Sequence, residues 1–312
     1  LSNGGRMNNN LTVGRAFALL GAAGYIAPRH LDAISANSGS LIAAMDPSDS
    51  VGVLDRYFPE AKFFTSYERF ERFLFKKKTD NNPVDYVSIC SPNYFHDTHC
   101  RLALNNGANA ICEKPLVLFP KNLERLAQVE QDTGKKIFCI LQLRLHPKIQ
   151  ALKDEVGGDK SAVYEVNLEY ITSRGPWYNV SWKGDEAKSG GILFNIGIHF
   201  FDMLLHVFGE TKSNELTFLS PDFAAGRLCC KQANINWKLS TDRSKLPKNV
   251  VKPTFREITV NDKSLEFSEG FTDLHQESYA AIINGNGFGL DEVMPSIRLV
   301  SALRSLGGGF EG

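Results

Sequence analysis

The sequence lacks an excess of either charge. Its 35 Lys and Arg residues are balanced by 35 Asp and Glu residues, so the formal net charge is zero. Proteins that attract nucleic acid or anionic lipid usually carry clustered basic charge. The one basic block, residues 76–78, ends a charged, Phe-rich segment, which is typical of a solvated helix terminus. We therefore expect neither nucleic acid nor a membrane among the partners.

The sequence also lacks CxxC pairs and long apolar runs. Its six cysteines are spread along the chain, and several lie in apolar, strand-like runs such as residues 87–90. This usage is typical of reduced, buried thiols in a cytosolic protein. No apolar stretch approaches the ~20 residues that span a bilayer, and a signal-peptide pattern is missing. We expect a cytoplasmic protein.

The first part of the chain, residues 11–145, alternates short apolar segments with amphipathic ones. Near-continuous apolar strands separated by helices predict a parallel sheet that is covered on both faces, a doubly wound Rossmann domain. The predicted strands are 15–20, 41–45, 84–90, 108–112 and 136–141, and the predicted helices are 27–37, 67–78, 96–106 and 120–134.

The pattern changes in the second part, residues 146–312. Polar and apolar residues alternate there, as in a sheet with one packed and one exposed face. The predicted strands are 162–172, 215–219, 227–239, 255–260 and 264–267, with helices at 195–208, 272–284 and 292–306. The fold class is therefore α/β, an N-terminal doubly wound parallel sheet followed by an α+β domain with a large open mixed or antiparallel sheet.

A glycine turn at residues 21–24 follows the first strand and opens the first helix. Such a turn lets the backbone approach a pyrophosphate at a helix N-terminus. It departs from the usual Gly-x-Gly-x-x-Gly and would also suit a plain strand–helix turn. Asp46 ends the next strand, where a carboxylate binds the ribose hydroxyls and disfavours a 2′-phosphate. Together they favour NAD, although methyltransferases that use S-adenosylmethionine place an acid similarly.

Two short motifs lie at the ends of later strands. They are Ser91-Pro92-Asn93 and Glu113-Lys114-Pro115. The carboxyl edge of a doubly wound sheet is where such proteins bind ligands, so Lys114 can reach a nicotinamide and a substrate hydroxyl. As an isolated string, Glu-Lys-Pro would be a surface turn.

A third motif spans residues 190–202, where glycines precede an apolar helix carrying Asn195, His199 and Asp202. Asn195 and His199 share a helix face because they are four residues apart. Taken alone, His199 is typical of a hydrogen-bonded core histidine. His199, Asp202 and His206 could in principle bind a metal, but no further ligand cluster is apparent, and we expect none.

The ordered set of these motifs resembles the Gfo/Idh/MocA oxidoreductase family over residues 15–305. The resemblance implies an NAD-dependent dehydrogenase in which Lys114 and His199 line the hydride-transfer site. The family often has Asp where this chain has Asn195; because asparagine cannot take a proton, we expect Asn195 to orient substrate. The implied cofactor-binding residues are Gly21, Ala23, Gly24, Tyr25, Ile26, Asp46, Ser91, Pro92, Asn93, His96, Glu113 and Lys114.

Four stretches, 21–30, 140–147, 171–175 and 180–184, are similar to the WlbA/WbpB subfamily. That similarity implies oxidation of the C3 hydroxyl of UDP-N-acetyl-D-glucosaminuronate on a route to bacterial O-antigen and lipopolysaccharide sugars. It also implies a homotetramer, and some members regenerate NAD by reducing 2-oxoglutarate. The remaining alternatives are a sibling dehydrogenase for another sugar or cyclitol and a non-catalytic, dinucleotide-sensing protein.

A uronate diphosphate substrate needs cations, amides and flat rings around it. We expect these groups at Arg144, Arg174, Trp177, Tyr178, Lys183, Asn195 and His199. For the proton transfer we expect His199 to be the general base and Lys114 to orient the hydroxyl. The reverse assignment stays open because burial can depress the pKa of a lysine.

Overall fold

The computed structural model describes residues 14–248, 250, 252–265 and 273–308. Its first sheet has six parallel strands in the order β3-β2-β1-β4-β5-β6, which is the Rossmann arrangement and confirms the predicted fold class. The strands are β1 (Ala16–Leu20), β2 (Ser40–Met45), β3 (Lys62–Phe64), β4 (Tyr86–Ile89), β5 (Asn109–Cys112) and β6 (Ile137–Cys139).

The central strand β1 shows why the apolar runs predicted this sheet. Ala18 and Leu20 belong to the core on one face, and Phe17 and Leu19 belong to the core on the other. Side chains alternate across a strand, so a strand covered on both faces must be apolar throughout. The helices of this part are α1 (Ala27–Ala36), α2 (Val53–Tyr57), α3 (Tyr67–Thr79), α4 (His96–Asn105) and α5 (Pro120–Thr133).

The second sheet also has six strands, in the order β12-β11-β7-β10-β9-β8. Only the β7–β10 pair is parallel among its described pairings. The strands are β7 (Tyr164–Thr172), β8 (Thr211–Leu219), β9 (Phe223–Cys230), β10 (Ala233–Ser240), β11 (Thr254–Val260) and β12 (Lys263–Leu265). The predicted strand 227–239 is in fact two strands, because the chain reverses at Lys231 and Gln232.

The second sheet buries one face and exposes the other. On β10, Ala233, Ile235 and Trp237 are buried, whereas the residues between them are exposed. Trp237 packs edge-on against Phe201 with 5.0 Å between ring centroids. Phe201 belongs to the central helix of this part, so that helix covers the packed face.

The helices of the second part lie on both sheets. They are α6 (Pro147–Gly158), α7 (Pro176–Val180), α8 (Glu186–Ser189), α9 (Ile198–Phe208), α10 (Leu274–Ile283) and α11 (Leu290–Leu306), with a π-helical turn at Leu193–Gly197 directly before α9. Helix α10 packs against α1, and α11 packs against both α5 and α9. The end of the chain therefore joins the two halves of the molecule. The ends of two predicted elements, 266–267 and 272, lie outside the described residues.

All six cysteines are unpaired and five are buried, as the sequence indicated. Among the residues that the structure describes, one helical segment, Glu186–Phe208, is long and apolar enough by composition to cross a membrane, with a mean hydropathy of 1.6. However, 78% of that window is buried inside the protein. Burial of this kind is typical of a core helix, and here it follows from the packing of α9 between the second sheet and α11.

Candidate active site

A cavity of about 1460 Å³ lies between the carboxyl edge of the first sheet and the inner face of the second. Its wall includes all twelve residues predicted to bind the cofactor, from Gly21 to Lys114. Four of the residues predicted to bind substrate also line it, namely Arg174, Lys183, Asn195 and His199. Arg144, Trp177 and Tyr178 are not in this wall.

The turn after β1 is built for a close approach of two backbones. Gly21 has φ +88°, and a Cβ placed on it would lie 2.6 Å from the carbonyl carbon of Cys90 and the amide nitrogen of Ser91. Only glycine fits both restraints. Because this bare backbone faces the cavity just before α1, it fits the pyrophosphate of a dinucleotide.

Asp46 lies beside this turn at the end of β2. Its Oδ2 accepts a hydrogen bond from the amide of Ala23 (3.0 Å), and its Oδ1 accepts one from the amide of Ser48 (2.9 Å). These bonds fix the carboxylate in the cavity wall. It is thus placed to accept hydrogen bonds from a ribose and to repel a 2′-phosphate, as expected for an NAD site.

The loop after β4 is tied to its neighbours by His96. This buried ring contacts the main-chain oxygens of Ser91 (2.8 Å) and Pro115 (2.7 Å), which joins the loops that follow β4 and β5. Asn93 donates to the main-chain oxygen of Ser189 at 2.8 Å and so reaches the second half of the chain. The predicted motifs therefore act as one connected rim.

An aromatic wall completes the first-sheet side of the cavity, and no sequence motif predicted it. Tyr67 and Phe95 both stack against the ring of His99, with centroid distances of 5.5 and 5.4 Å. Burial lowers the pKa of His99 to about 3, so this ring is neutral at physiological pH. The three residues come from α3, the loop after β4, and α4, and local sequence carries no signal for their meeting.

Lys114 and the π-helical turn meet across the two halves of the chain. The Nζ of Lys114 donates to the main-chain oxygen of Asn195 at 3.0 Å. The Asn195 amide donates to the hydroxyl of Tyr178 at 2.6 Å, and its Oδ1 accepts a longer bond of 3.4 Å from Asn93. Asn195 is thus held by hydrogen bonds, as expected for an orienting residue.

Both groups expected to move protons have altered pKa values. Burial lowers the pKa of Lys114 to about 8, with the nearby Arg174 adding to the decrease and Glu113 opposing it. Burial, followed by the charge of Lys114, lowers the pKa of His199 well below its usual value. At neutral pH, His199 is therefore neutral and Lys114 is a partly deprotonated amine.

Two cations face the cavity from the second half. Arg174 follows β7, and Lys183 lies in the short turn Trp182–Gly184 with its Nζ 5.1 Å from the ring centroids of both Trp177 and Trp182. Trp177 is 54% exposed and Tyr178 is buried beneath Arg174, whose guanidinium lies 5.9 Å from the Tyr178 centroid. Trp177 thus contacts Lys183, while Tyr178 contacts Arg174 and accepts a hydrogen bond from Asn195.

Arg144 is not placed as the sequence predicted. Its guanidinium makes two hydrogen bonds to Asp202, at 2.8 and 2.7 Å, and a third to the main-chain oxygen of Glu292. The pair is buried between the turn after β6 and helices α9 and α11. Both carboxylate oxygens of Asp202 accept from Arg144, so the three-residue metal set considered for α9 is not assembled.

Tyr170 and Arg256 also line the cavity and carried no recognisable sequence signal. They are paired across β7 and β11, with the guanidinium of Arg256 5.4 Å from the Tyr170 centroid. Their meeting depends on the register of two strands far apart in sequence. Arg256 adds a third cation to the second-sheet side of the cavity.

Glu113 has a buried hydrogen-bond cluster behind it. His30 Nε2 and His275 Nε2 both lie 3.0 Å from Glu113 Oε1. Imidazoles and a carboxylate can ligate a metal ion, and these three ligand atoms lie within 4.8 Å of one another. Each of the two nitrogens is also within hydrogen-bond distance of the carboxylate, so hydrogen bonds alone account for the arrangement.

The fold and the site define a nicotinamide-dependent dehydrogenase, with a dinucleotide cradle beside an amine and an imidazole. Two family models match the chain: the oxidoreductase family with an NAD-binding Rossmann fold over residues 15–140, and its C-terminal alpha/beta domain over residues 161–227. The chain belongs to the Gfo/Idh/MocA oxidoreductase family.

Solved structures and curated relatives show the same relationship. The WlbA (WbpB) dehydrogenase from Thermus thermophilus in complex with NAD and alpha-ketoglutarate is 49% identical, with a TM-score of 0.91 over 94% of this chain and 95% of that one. Its complex with NAD and UDP-GlcNAcA gives 48% identity and a TM-score of 0.90, over 93% of this chain and 94% of that one.

Two curated enzymes are more distant. A D-glucoside 3-dehydrogenase of Escherichia coli is 32% identical over 40% of this chain, and an inositol 2-dehydrogenase of Rhizobium meliloti is 30% identical over 62%. The matched regions span 36% and 55% of those enzymes' own lengths.

Proposed function

We propose that this protein oxidises the C3 hydroxyl of UDP-N-acetyl-D-glucosaminuronate to a ketone, with NAD as the hydride acceptor. The observation that carries the proposal is the convergence of Lys114 and His199 in one cavity with Arg174, Lys183 and the Gly21 turn. The similar Thermus protein, whose structures contain NAD with UDP-GlcNAcA or alpha-ketoglutarate, supports the same substrate and 2-oxoglutarate as a second substrate.

Bound NAD supplies the hydride acceptor, while residues of the chain remove the hydroxyl proton. An effective base has a pKa near the working pH. Lys114, with a pKa of about 8, meets that condition better than His199, whose pKa lies well below its usual value. We therefore assign removal of the hydroxyl proton to neutral Lys114, which is the alternative that the sequence left open. His199 then orients the hydroxyl through a hydrogen bond, and Asn195 holds the Lys114 amine in place.

The cations on the second-sheet side suit a substrate with several anionic groups. A uronate, a diphosphate and the two carboxylates of 2-oxoglutarate all accept charge-assisted hydrogen bonds from Arg and Lys. Arg174 and Lys183 line the cavity within electrostatic range of Lys114. The same groups can thus receive the sugar nucleotide and 2-oxoglutarate in turn while NAD stays in its cradle.

The direct test is the absorbance of NADH after purified protein is mixed with NAD and one candidate substrate. UDP-N-acetylglucosaminuronic acid should produce NADH, and 2-oxoglutarate should then consume it. Free myo-inositol and methyl glucoside, chosen from the curated relatives, should not react. Turnover of only a free polyol or glucoside would make the protein a sibling dehydrogenase. NAD binding without any turnover would favour a dinucleotide sensor.

The site assignment has its own test. Replacing Lys114 by Ala removes the proton-transfer group and should lower kcat by ~10²–10⁴-fold with little change in NAD affinity. The variant His199→Ala should lower kcat less. If both variants kept near-normal turnover, the reaction would have to occur elsewhere.

We extend the proposal to cell context and assembly. The substrate class belongs to the cytoplasmic synthesis of bacterial O-antigen and lipopolysaccharide sugars. A homotetramer formed through the second sheet would cover its exposed face, which carries polar residues such as Glu165, Asn234 and Asn236. Light scattering coupled to size-exclusion chromatography tests the tetramer.

A further inference from the structure

His30 and His275 form a buried cluster with Glu113 on the side that faces away from the cavity, and the proposed reaction gives these two histidines no role. Glu113 lies in the cavity wall, and its Oε2 accepts a hydrogen bond from the main-chain amide of Lys114 at 3.2 Å. Its Oε1 faces away from the cavity toward His30, on α1, and His275, on α10. The carboxylate therefore lies between the catalytic amine and two imidazoles.

The donor and the acceptor can be assigned for each hydrogen bond in this cluster. A carboxylate only accepts, so the Nε2 atoms of His30 and His275 both donate to Oε1. Burial lowers the pKa of His30, which keeps it neutral and makes its Nδ1 an acceptor. The hydroxyl of Tyr279 then donates to Nδ1 (2.8 Å) and accepts from Ser88 (2.6 Å). Two helices, α1 and α10, thus converge on one carboxylate oxygen.

We propose that His30 and His275 are positioning residues that hold Glu113 as an anion beside Lys114. The anion in turn favours the protonated form of the catalytic amine. This inference rests on the proposed function, in which the Lys114 amine moves the proton. A buried carboxylate without donors tends to take up a proton, because burial penalises its charged form. Two imidazole donors remove that tendency, and the anion then remains next to the amine.

The electrostatics agree with this geometry. Burial alone raises the pKa of Glu113, but the hydrogen bonds from His275 and His30 outweigh it and hold that pKa well below its usual value. Glu113 in turn opposes the decrease in the pKa of Lys114 that burial causes. The other titratable or charged groups that face Lys114 are His96 on α4, Cys139 on β6, Arg174 after β7, Lys183 before α8, and His199 on α9. Among these and Glu113, only Glu113 is a carboxylate.

His275 is the member of the cluster best suited to replacement. Its Nδ1 has no hydrogen-bond partner among the described residues, whereas His30 is bonded through both nitrogens. Among the described residues, loss of the His275 ring therefore removes a hydrogen-bond partner from Glu113 alone, together with an edge-on contact to the His30 ring at 5.2 Å. The variant His275→Leu removes the donor at similar volume, and His275→Gln keeps an N–H donor at nearly the reach of Nε2.

The experiment measures the titration of Lys114 in two ways. The first is the pH profile of kcat with UDP-N-acetylglucosaminuronic acid, and the second is competitive acetylation of Lys114 across pH, quantified by peptide mass spectrometry. The second readout needs no turnover, so it still reports on the cluster if the proposed substrate is wrong. Absence of turnover in the parent protein would count against the proposed function alone.

In His275→Leu, Glu113 should become protonated, and the Lys114 titration should move by ~1 pH unit to lower pH. The pH limb that reflects Lys114 moves in that direction whether its neutral or its charged form is needed. His275→Gln should titrate like the parent. The control Ser278→Ala, on the same helix, removes only a bond to the main chain of Leu274 and should also be unchanged.

Glu113→Gln removes the carboxylate charge directly, so it should give the largest shift in the Lys114 titration, and His275→Leu should approach that shift. If His275→Leu does not fold, Glu113→Gln alone tests whether the carboxylate charge affects Lys114. The proposal is overturned if Glu113→Gln leaves the Lys114 titration where it is in the parent. It is also overturned if a folded His275→Leu titrates like the parent, or if His275→Gln moves Lys114 as far as His275→Leu does.

Discussion

The buried ion pair between Arg144 and Asp202 gives the sharpest prediction about stability. The side chains are 9% and 3% exposed, and two hydrogen bonds of 2.8 and 2.7 Å join them. Replacing Arg144 by Met keeps the apolar stem and removes the charge. Removing one partner of a buried pair leaves the other charge uncompensated, which typically costs ~3–5 kcal/mol. We expect a loss of this size at pH 8.

The loss of stability caused by Arg144→Met should be smaller at low pH than at high pH. Burial already raises the pKa of Asp202, even though Arg144 opposes the increase. Without Arg144, that pKa rises further, so the folded variant binds a proton more readily than its unfolded chain does. Stability from such a group is present at low pH and is lost as pH rises through the folded-state pKa. The variant should therefore lose less at pH 5.5 than at pH 8, by at most ~1.4 kcal/mol per pH unit.

Urea unfolding at pH 5.5 and pH 8 measures this effect, together with KM for the sugar nucleotide. In the double variant Arg144→Met with Asp202→Asn, the uncompensated charge is gone, and we expect a coupling of ~2 kcal/mol relative to the sum of the single changes. A variant Arg144→Met that kept full stability at pH 8 but raised KM would refute the reasoning and return Arg144 to the substrate site.

An exposed pair provides the matched control. Arg101 and Asp97 are four residues apart on α4, and their side chains are 44% and 19% exposed. Solvent screens such a pair, so Arg101→Met should cost no more than ~0.5 kcal/mol and show little dependence on pH.

The remaining predictions concern the cavity. Gly21→Ala forces a side chain against the backbone of Cys90 and Ser91 in the loop after β4, so isothermal titration should show NAD binding weakened by at least ~10-fold. Gly52→Ala, at an open position, should leave NAD binding unchanged. Asp46→Ser removes the carboxylate that repels a 2′-phosphate, and the ratio of kcat/KM for NADP to that for NAD should rise by ~10-fold or more. Arg174→Ala should raise KM for the sugar nucleotide ~10-fold, through loss of one charge-assisted contact, and an unchanged KM would remove it from the site. Since the pKa of Lys114 is lowered to about 8 and its neutral form is the proposed base, kcat should increase with pH through that value, and a decrease would contradict the assignment of Lys114 as the base.

Most elements of the first sheet could be predicted because each strand is itself an apolar run. Strands β1, β2, β4, β5 and β6 match their predicted ranges to within about two residues. Helix α6 was not predicted, although Ile149, Leu152 and Val156 form an apolar stripe along it. Strand β3 and helix α2 were not predicted because they are short and partly exposed. Apolar periodicity over a few residues does not separate such elements from loops.

The site was predictable where a motif follows directly on a strand. Gly21, Asp46 and Lys114 end three strands of one parallel sheet, and the carboxyl ends of such strands share an edge. Arg144, Trp177 and Tyr178 were predicted by residue type alone, and residue type does not say where a side chain points. The structure directs Arg144 into the protein and places Tyr178 behind Asn195.

The sequence by itself thus determined the first sheet, the glycine turn and the lysine at the edge of the sheet, because the apolar period and the succession of elements along the chain are local properties. The family resemblance already implied that Lys114 and His199 share one site, but only the tertiary structure shows that the Lys114 amine donates to the main chain of Asn195 and that Glu113 is held by residues 83 and 162 positions away. Those meetings depend on how α9 and α10 pack on the first sheet, and packing of distant elements leaves no periodic signal in the residues that it brings together.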